Sequence, residues 1–379
     1  MEKKRFGDIA DFVNGMPFRP KDWGTKGLPI IRIQNLTETS GIFNYYEGEF
    51  DERYLVRNDD ILISWSASLG VYRWDKQDAV LNQHIFKVNL KNGINKTFFY
   101  YAVQSKLIEM ERQVHGSTMK HITKGKFDDL KIPLPDLSTQ KKISSILEQA
   151  DAARQKRKQA NQLTGQFLQS AFLEMFGDLS TNEKGWQVTL LGEVCGFVRG
   201  PFGGSLKKEI FKENGYAVYE QSHAIYNQFN EIRYFIDDDK FKEMKRFELN
   251  AGDLIMSCSG TMGKVAIVPS NIKRGIINQA LLKLTPSQKI LNVFLKFWME
   301  SKNFQSDLKM YSQGAAIQNV VSVKVLKEIK LPLPPLPLQI KFASLVERVE
   351  KLQEKQRESE RELENLFQSL MQRYFGNYT

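Results

Sequence analysis

Short apolar runs alternate with polar, glycine-bearing stretches along most of the chain, and two long segments break that rhythm. PIIRIQ, DDILISW, HIFKVNL, DLIMSC, KVAIVP and QALLKL are β-branched or apolar runs bounded by Gly, Asn and Asp, which predicts strands. KTFFYYAVQSKLIEM and LNVFLKFWMESKNFQSDL place aromatic residues at core-facing spacing and predict helices. Such mixed regions read as α+β domains. In the two long segments, 136–178 and 335–379, the pattern is helical throughout.

The two halves of the chain repeat each other. KIPLPDLSTQKKI (131–143) is rewritten as KLPLPPLPLQIKF (330–342), with seven identical positions. RFGDIADFVNG (5–15) matches LLGEVCGFVRG (190–200), NDDILIS (58–64) matches AGDLIMS (251–257), and LNQHIFKV (81–88) matches INQALLKL (277–284). Gly116 matches Gly314, and QSAFLEMFGD (169–178) matches QSLMQRYFGN (368–377). All length differences fall between Gly15 and Ile132 or their partners; from Ile132 to Asp178 the register never slips. Loops accept insertions, whereas one residue added to a packed helix rotates every later side chain by about 100°. Each half therefore has a tolerant α+β part and a rigid helix. The expected division is 1–135 and 179–334 for the globular domains, 136–178 and 335–379 for the helices.

Pro133 and Pro135 end the preceding strand, Ser138 is the expected N-cap, and Gly177 and Gly376 sit where a glycine stops a helix. Such a helix would run roughly 55–60 Å at 1.5 Å per residue. The second helix shows a stripe of Val349, Leu352, Gln356, Ser359, Leu363, Leu366 and Leu370. Its partners in the first are Ala150, Ala153, Arg157, Ala160, Thr164, Phe167 and Ala171. Small residues on one helix against large ones on the other favour a mixed, coiled-coil-like pair. Antiparallel packing about Arg157 and Gln356 would bring RQKRK (154–158) against the glutamates between Glu347 and Glu364. The alternative is that each helix merely covers its own domain, but polar central turns leave so long a helix marginal alone.

Composition adds three limits. The 379 residues exceed one ordinary core, and 41 % hydrophobic residues suffice for two. No apolar run is long enough to span a membrane, and the N-terminus does not read as a secretory signal. Two cysteines, Cys195 and Cys258, make a disulfide framework unexpected and a reducing cytoplasm the natural setting. The net charge of +10 divides as 26 basic and 22 acidic residues in 1–178, and 28 and 22 in 179–379. An excess spread over both halves suits two anion-facing surfaces, as in a nucleic-acid binder; a mildly basic protein without such a partner reads equally well from charge alone.

Two variable α+β domains, each followed by a Pro-Leu-Pro exit, a Q-x-K helix start and a long helix ending in F-G, resemble the specificity subunits of type I restriction-modification systems. IPLPDLSTQKKI, LPLPPLPLQIKF, CSGTMGKVAIVP, IINQALLKL and the GSTMKHI and GAAIQNV loops carry the resemblance, which covers essentially the whole chain. Leu338 departs from it, since the family usually has an acidic residue before the glutamine. The resemblance implies two pseudo-symmetric target recognition domains joined by two long antiparallel helices acting as a spacer. Each domain would read one half of a split, asymmetric target in double-stranded DNA. The helices would dock two methyltransferase subunits, which would carry S-adenosylmethionine, and restriction subunits could join them. The chain itself would need no cofactor.

Chemistry of its own is not apparent in the sequence. GTMGK (260–264) lacks the spacing of a phosphate loop, no N-P-P-[FY] tetrapeptide occurs, and His115 and His121 make no metal pattern with cysteine. A binding subunit is expected, with an adaptor whose helices hold a protein and whose domains hold peptide or RNA as the alternative. The candidate DNA contacts are polar and basic residues on glycine-bearing loops. In the first domain they are Arg19, Lys21, Trp65, Ser66, Arg73, Gln83, His84, Lys120 and His121. In the second they are Arg199, Ser205, Lys207, Lys208, Ser259, Thr261, Lys264, Gln279, Gln318 and Asn319. The recurring Asn82-Gln83 and Asn278-Gln279 could equally be structural, bonding a strand end.

Overall fold

The computed structural model describes residues 2–66, 68–113, 124–312 and 322–376. The chain divides into two compact units, Met1–Gln159 with Arg357–Thr379, and Ala160–Gln356. Each contains one globular α+β part, the beginning of one long helix and the end of the other.

The globular parts share one topology. In the first, Ala10–Asn14, Ile85–Leu90, Ile61–Ser64 and Gly70–Arg73 form an antiparallel sheet in that spatial order. In the second, Cys195–Arg199, Leu281–Pro286, Leu254–Ser257 and Val265–Ile267 repeat the order and directions. Ile61–Ser64 and Leu254–Ser257 are buried at every position, which is why both read as unbroken apolar runs rather than alternating ones. A smaller sheet in each unit contains one parallel pair: Leu28–Ile31 with Ala79–Leu81, and Tyr216–Tyr219 with Gly275–Ile277. Buried Lys87 donates to the Leu55 carbonyl at 2.6 Å, and its counterpart Lys283 to the Glu248 carbonyl at 2.6 Å. Each buried ammonium thus finds a backbone carbonyl acceptor.

The long helices run Leu137–Phe176 and Leu336–Phe375. The first is capped by Asp136, whose carboxylate accepts from Thr139 N at 3.0 Å and Thr139 Oγ1 at 2.7 Å, not by Ser138. Asp136 stands two residues earlier, directly before the first helical residue, and its two oxygens satisfy both donors. Gly177 ends that helix at φ +74°, its N–H bonding Leu173 O at 2.8 Å; Gly376 bonds Gln372 O at 2.8 Å. Within the first unit, Ile143, Leu147 and Ala150 of the first helix share a core with Phe367, Met371 and Phe375 of the second. Within the second unit, Leu168, Phe172 and Phe176 share a core with Phe342, Val346 and Val349. The two helices are therefore antiparallel neighbours within either unit.

The repeated glutamine explains the repeated motif. Gln140 Oε1 accepts from Asn95 N at 2.8 Å while Nε2 donates to Pro135 O at 2.9 Å and Gly93 O at 3.2 Å. Gln339 does the same with Leu291 N at 2.8 Å, Pro334 O at 2.8 Å and Lys289 O at 3.4 Å. Both side chains are buried. Each latches the start of a long helix to the loop that enters a helix of its own domain, Lys96–Gln113 in the first and Asn292–Met299 in the second.

Four expectations about elements are corrected. The stripe of the helix pair lies one position later at alternate turns. Phe167, Leu352 and Leu366 are 49 %, 49 % and 50 % exposed, while Leu168 and Phe367 are buried. Phe367 sets this phase: it packs on Tyr101 at 6.0 Å and under Arg154 at 4.1 Å. Val349, Gln356, Ala150 and Ala171 are buried, and Ala153, Arg157, Ala160, Leu363 and Leu370 half-buried. Gln356 Nε2 meets Thr164 Oγ1 at 3.2 Å, so Arg157 is not its partner; within RQKRK, Arg154 meets Glu364 at 2.9 Å. Finally, residues 292–312 form two helices, Asn292–Met299 and Lys302–Ser312, and Arg32 to Leu36 leave the strand for a helical turn.

Candidate nucleic-acid interface

At one end of each main sheet three loops come together, and a glycine makes this possible. In the first unit, Gly15 N donates to Ile85 O at 3.2 Å and Met16 N to Leu81 O at 3.0 Å. A Cβ on Gly15 would stand 2.2 Å from the Asn82 carbonyl oxygen. In the second, Gly200 N donates to Leu281 O at 2.9 Å, and a Cβ there would stand 1.9 Å from the Asn278 carbonyl oxygen. Neither contact leaves room for any other residue. The Asn-Gln turn is thereby pressed against the end of the first sheet strand. Asn278 Oδ1 accepts from Ala280 N at 3.0 Å, so this asparagine shapes the turn, as one of the two sequence readings proposed.

The third loop follows the central strand and is pinned from inside. Ser64 is fully buried and donates to Ser68 O at 2.5 Å; Ser257, equally buried, donates to Thr261 O at 2.6 Å and accepts from Lys264 N at 3.0 Å. Trp65 N reaches His84 O at 3.4 Å and Cys258 N reaches Ala280 O at 2.8 Å, which joins this loop to the Asn-Gln turn in each unit. Both hydroxyls are fully buried and spend their proton within their own loop, so Ser64 and Ser257 hold the loops rather than read anything. The sequence signal for them was the serine closing both NDDILIS and AGDLIMS.

Most of the candidate contacts lie at these loops. In the second unit, Ser259, Thr261, Lys264, Gln279, Lys207 and Lys208 are exposed, and Arg199 and Ser205 half-buried. In the first, His84 is exposed and Gln83 half-buried, and Trp65 bonds Asn14 Oδ1 at 3.2 Å with its ring 5.8 Å from Phe86. Arg19 and Lys21 are exposed on the neighbouring segment that continues from Gly15. Two residues do not belong. Ser66 is buried, 7 % exposed, and turned away from solvent. Arg73 pairs with Ile61 at the far end of the sheet from the loops, bonded to Thr97 at 2.7 Å and Glu148 at 3.4 Å beside a cavity of about 620 Å³. Spacing alone could not tell the two ends of the Gly70–Arg73 strand apart. Lys120, His121, Gln318 and Asn319 lie outside the described residues.

Other chemistry finds little footing. Burial pushes the thiols of Cys195 and Cys258 up to about 12, so neither is a nucleophile at neutral pH. Among the described residues no group of three His, Cys, Asp or Glu side chains is placed to hold a metal ion, and no helix is long and apolar enough to cross a membrane.

Comparison with known proteins agrees with this geometry. The profile of the type I restriction modification DNA specificity domain matches residues 1–164 and again 183–365. The EcoBI specificity subunit of Escherichia coli is 25 % identical over 376 residues, covering 91 % of this chain and 77 % of that one. The MjaVIII specificity subunit of Methanocaldococcus jannaschii is 24 % identical, covering 93 % and 87 %. The crystal structure of a type I S subunit from M. genitalium superposes with a TM-score of 0.59 at 18 % identity, covering 100 % of this chain and 96 % of the other. A structure of a type I restriction-modification assembly superposes with a TM-score of 0.60 at 17 % identity, covering 98 % and 97 %. Two domains of one topology, the paired helices and a family profile that matches twice over place this chain in the family of type I restriction-modification specificity subunits.

Proposed function

We propose that this chain is a non-catalytic DNA-reading subunit, each globular domain recognising one half of a split, asymmetric target. The observation that carries the reading is the pair of loop clusters: one backbone scaffold, built twice by Gly15 and Gly200, Ser64 and Ser257, presents different side chains in each copy. Trp65 and His84 stand where Cys258 and Ala280 stand in the second, so the half-sites should differ. Base edges would be read by the loop side chains, while Lys207, Lys208 and Lys264 would meet phosphates. The helix pair would set the unread gap, as subunit geometry sets half-site spacing in dimeric readers. It would also dock two methyltransferase subunits that carry S-adenosylmethionine. The half-exposed Phe167, Leu352 and Leu366 support such docking, since they leave apolar surface on the outside of the pair. Mobility-shift titration of the chain with its methyltransferase partners tests the reading. Affinity for a duplex bearing the host's methylated motif should fall steeply with salt as counterions are released. Flat salt dependence would favour a protein or peptide adaptor.

A further inference from the structure

Phe202 is 92 % exposed, more than any other large apolar side chain among the described residues. It does not dangle. On one side Pro201 is buried and Gly200 is wedged against the Asn278 carbonyl. On the other, Ser205 N donates to Phe202 O at 2.9 Å and Leu206 is buried. The chain is thus held on both flanks, and the ring is presented to solvent from the same cluster that carries Gln279, Ser259 and Thr261. The first domain places a Pro-Phe pair one residue later after Gly15, and there Phe18 lies edge-on to Tyr46 at 5.2 Å and is half-buried. The projection of Phe202 is therefore a property of the second domain and not of the shared scaffold.

The neighbours of Phe202 select its partner. A protein-docking patch surrounds an aromatic anchor with further apolar side chains. Along the segment that carries Phe202, from Arg199 to Lys208, the chain offers glycine, serine and three cations, Arg199, Lys207 and Lys208. An aromatic ring flanked by cations matches nucleic acid, whose bases offer apolar faces between rows of phosphates. Building on the reading above, we propose that Phe202 is a hydrophobic DNA contact of the second domain, entering a groove against the base stack while Arg199, Lys207 and Lys208 hold the flanking phosphates.

The test uses the complete complex with its methyltransferase partners and duplexes bearing its own methylated motif, with 2-aminopurine placed in turn at each position of the half-site read by the second domain. Binding of the unaltered complex should brighten the probe at one step, where the ring disturbs stacking. Phe202→Ala should abolish that signal and weaken binding to the motif roughly 10-fold, leaving the melting temperature and the binding to random duplex unchanged. Phe202→Trp should retain both signal and affinity. Unchanged affinity and fluorescence in Phe202→Ala would overturn the inference while leaving the proposed function standing. So would a variant that binds DNA normally but no longer captures its methyltransferase. Absence of DNA binding by the unaltered complex at low salt would overturn the proposed function and this inference with it.

Discussion

Replacing Gln339 by alanine is the sharpest test of why the helix-start motif recurs. The side chain is fully buried, and truncation strands the Leu291 N–H, bonded at 2.8 Å, and the Pro334 carbonyl, bonded at 2.8 Å. Lys289 O, at 3.4 Å, is a weaker partner. Each stranded buried group costs about 1–3 kcal/mol, about 2–6 kcal/mol for the two, and the void left by the side chain adds to it. For a unit of this size the stranded groups alone lower the melting temperature by roughly 4–24 °C. Gln339→Glu keeps the shape but loses a donor and buries a carboxylate at neutral pH. Burial raises the folded-state pKa of such a group, so its cost is present at neutral pH and relieved as pH falls and the acid protonates. The assay is thermal melting from pH 4 to 8 together with hydrogen exchange at Leu291 and along the start of the second long helix. Gln140→Ala should act alike on the first unit, through Asn95, Pro135 and Gly93. A loss below about 0.5 kcal/mol in Gln339→Ala, the range of ordinary surface changes, would refute the latch.

Other outcomes follow from the same contacts. Gly200→Ala cannot be accommodated with its Cβ 1.9 Å from a backbone oxygen, so the loop cluster must shift; recognition of one half-site should fail while the other half-site still protects DNA in footprinting. Ser257→Ala strands the Thr261 carbonyl and the Lys264 N–H and should weaken motif binding several-fold, with Ser257→Thr closer to the unaltered protein. Arg154→Ala removes the Glu364 pair and the cover over Phe367 and should cost about 1–2 kcal/mol in denaturant unfolding. Gln368 first, then Arg154, hold the Glu364 carboxyl below its usual range. That stability is present above the unfolded carboxylate pKa and lost as pH falls through the lower folded value. Because Glu364 is partly exposed the loss on acidification should be a few tenths of a kcal/mol, and smaller still in Arg154→Ala.

The architecture was legible because both copies were written in one chain. An unslipped register from Ile132 onward revealed the rigid helices, and Gln140 and Gln339 keep that register for a reason visible only in space: their partners include backbone groups 45 to 50 residues away. The buried stripe of the helix pair was off at alternate turns because leucine content alone cannot choose between two seams that share Val349, Gln356, Leu363 and Leu370. Phe367, fixed by Tyr101 and Arg154, makes the choice. At the loops the glycines and the Asn-Gln turn stood out as repeats. The ends of the Gly70–Arg73 strand did not, so Arg73 was grouped with loops it does not join. Phe202 carries no charge or polar group for sequence to flag, and its signal, exposure, exists only in the fold.

The central claim is that two independent readers are held at a set spacing by the helix pair. Inserting one helical turn into each long helix near its middle, within 150–165 and 349–364, and mapping the methylated bases in host DNA puts that claim to its most direct test. Both half-sites should persist unchanged with more unread base pairs between them. An unchanged gap, or altered half-sites, would contradict it.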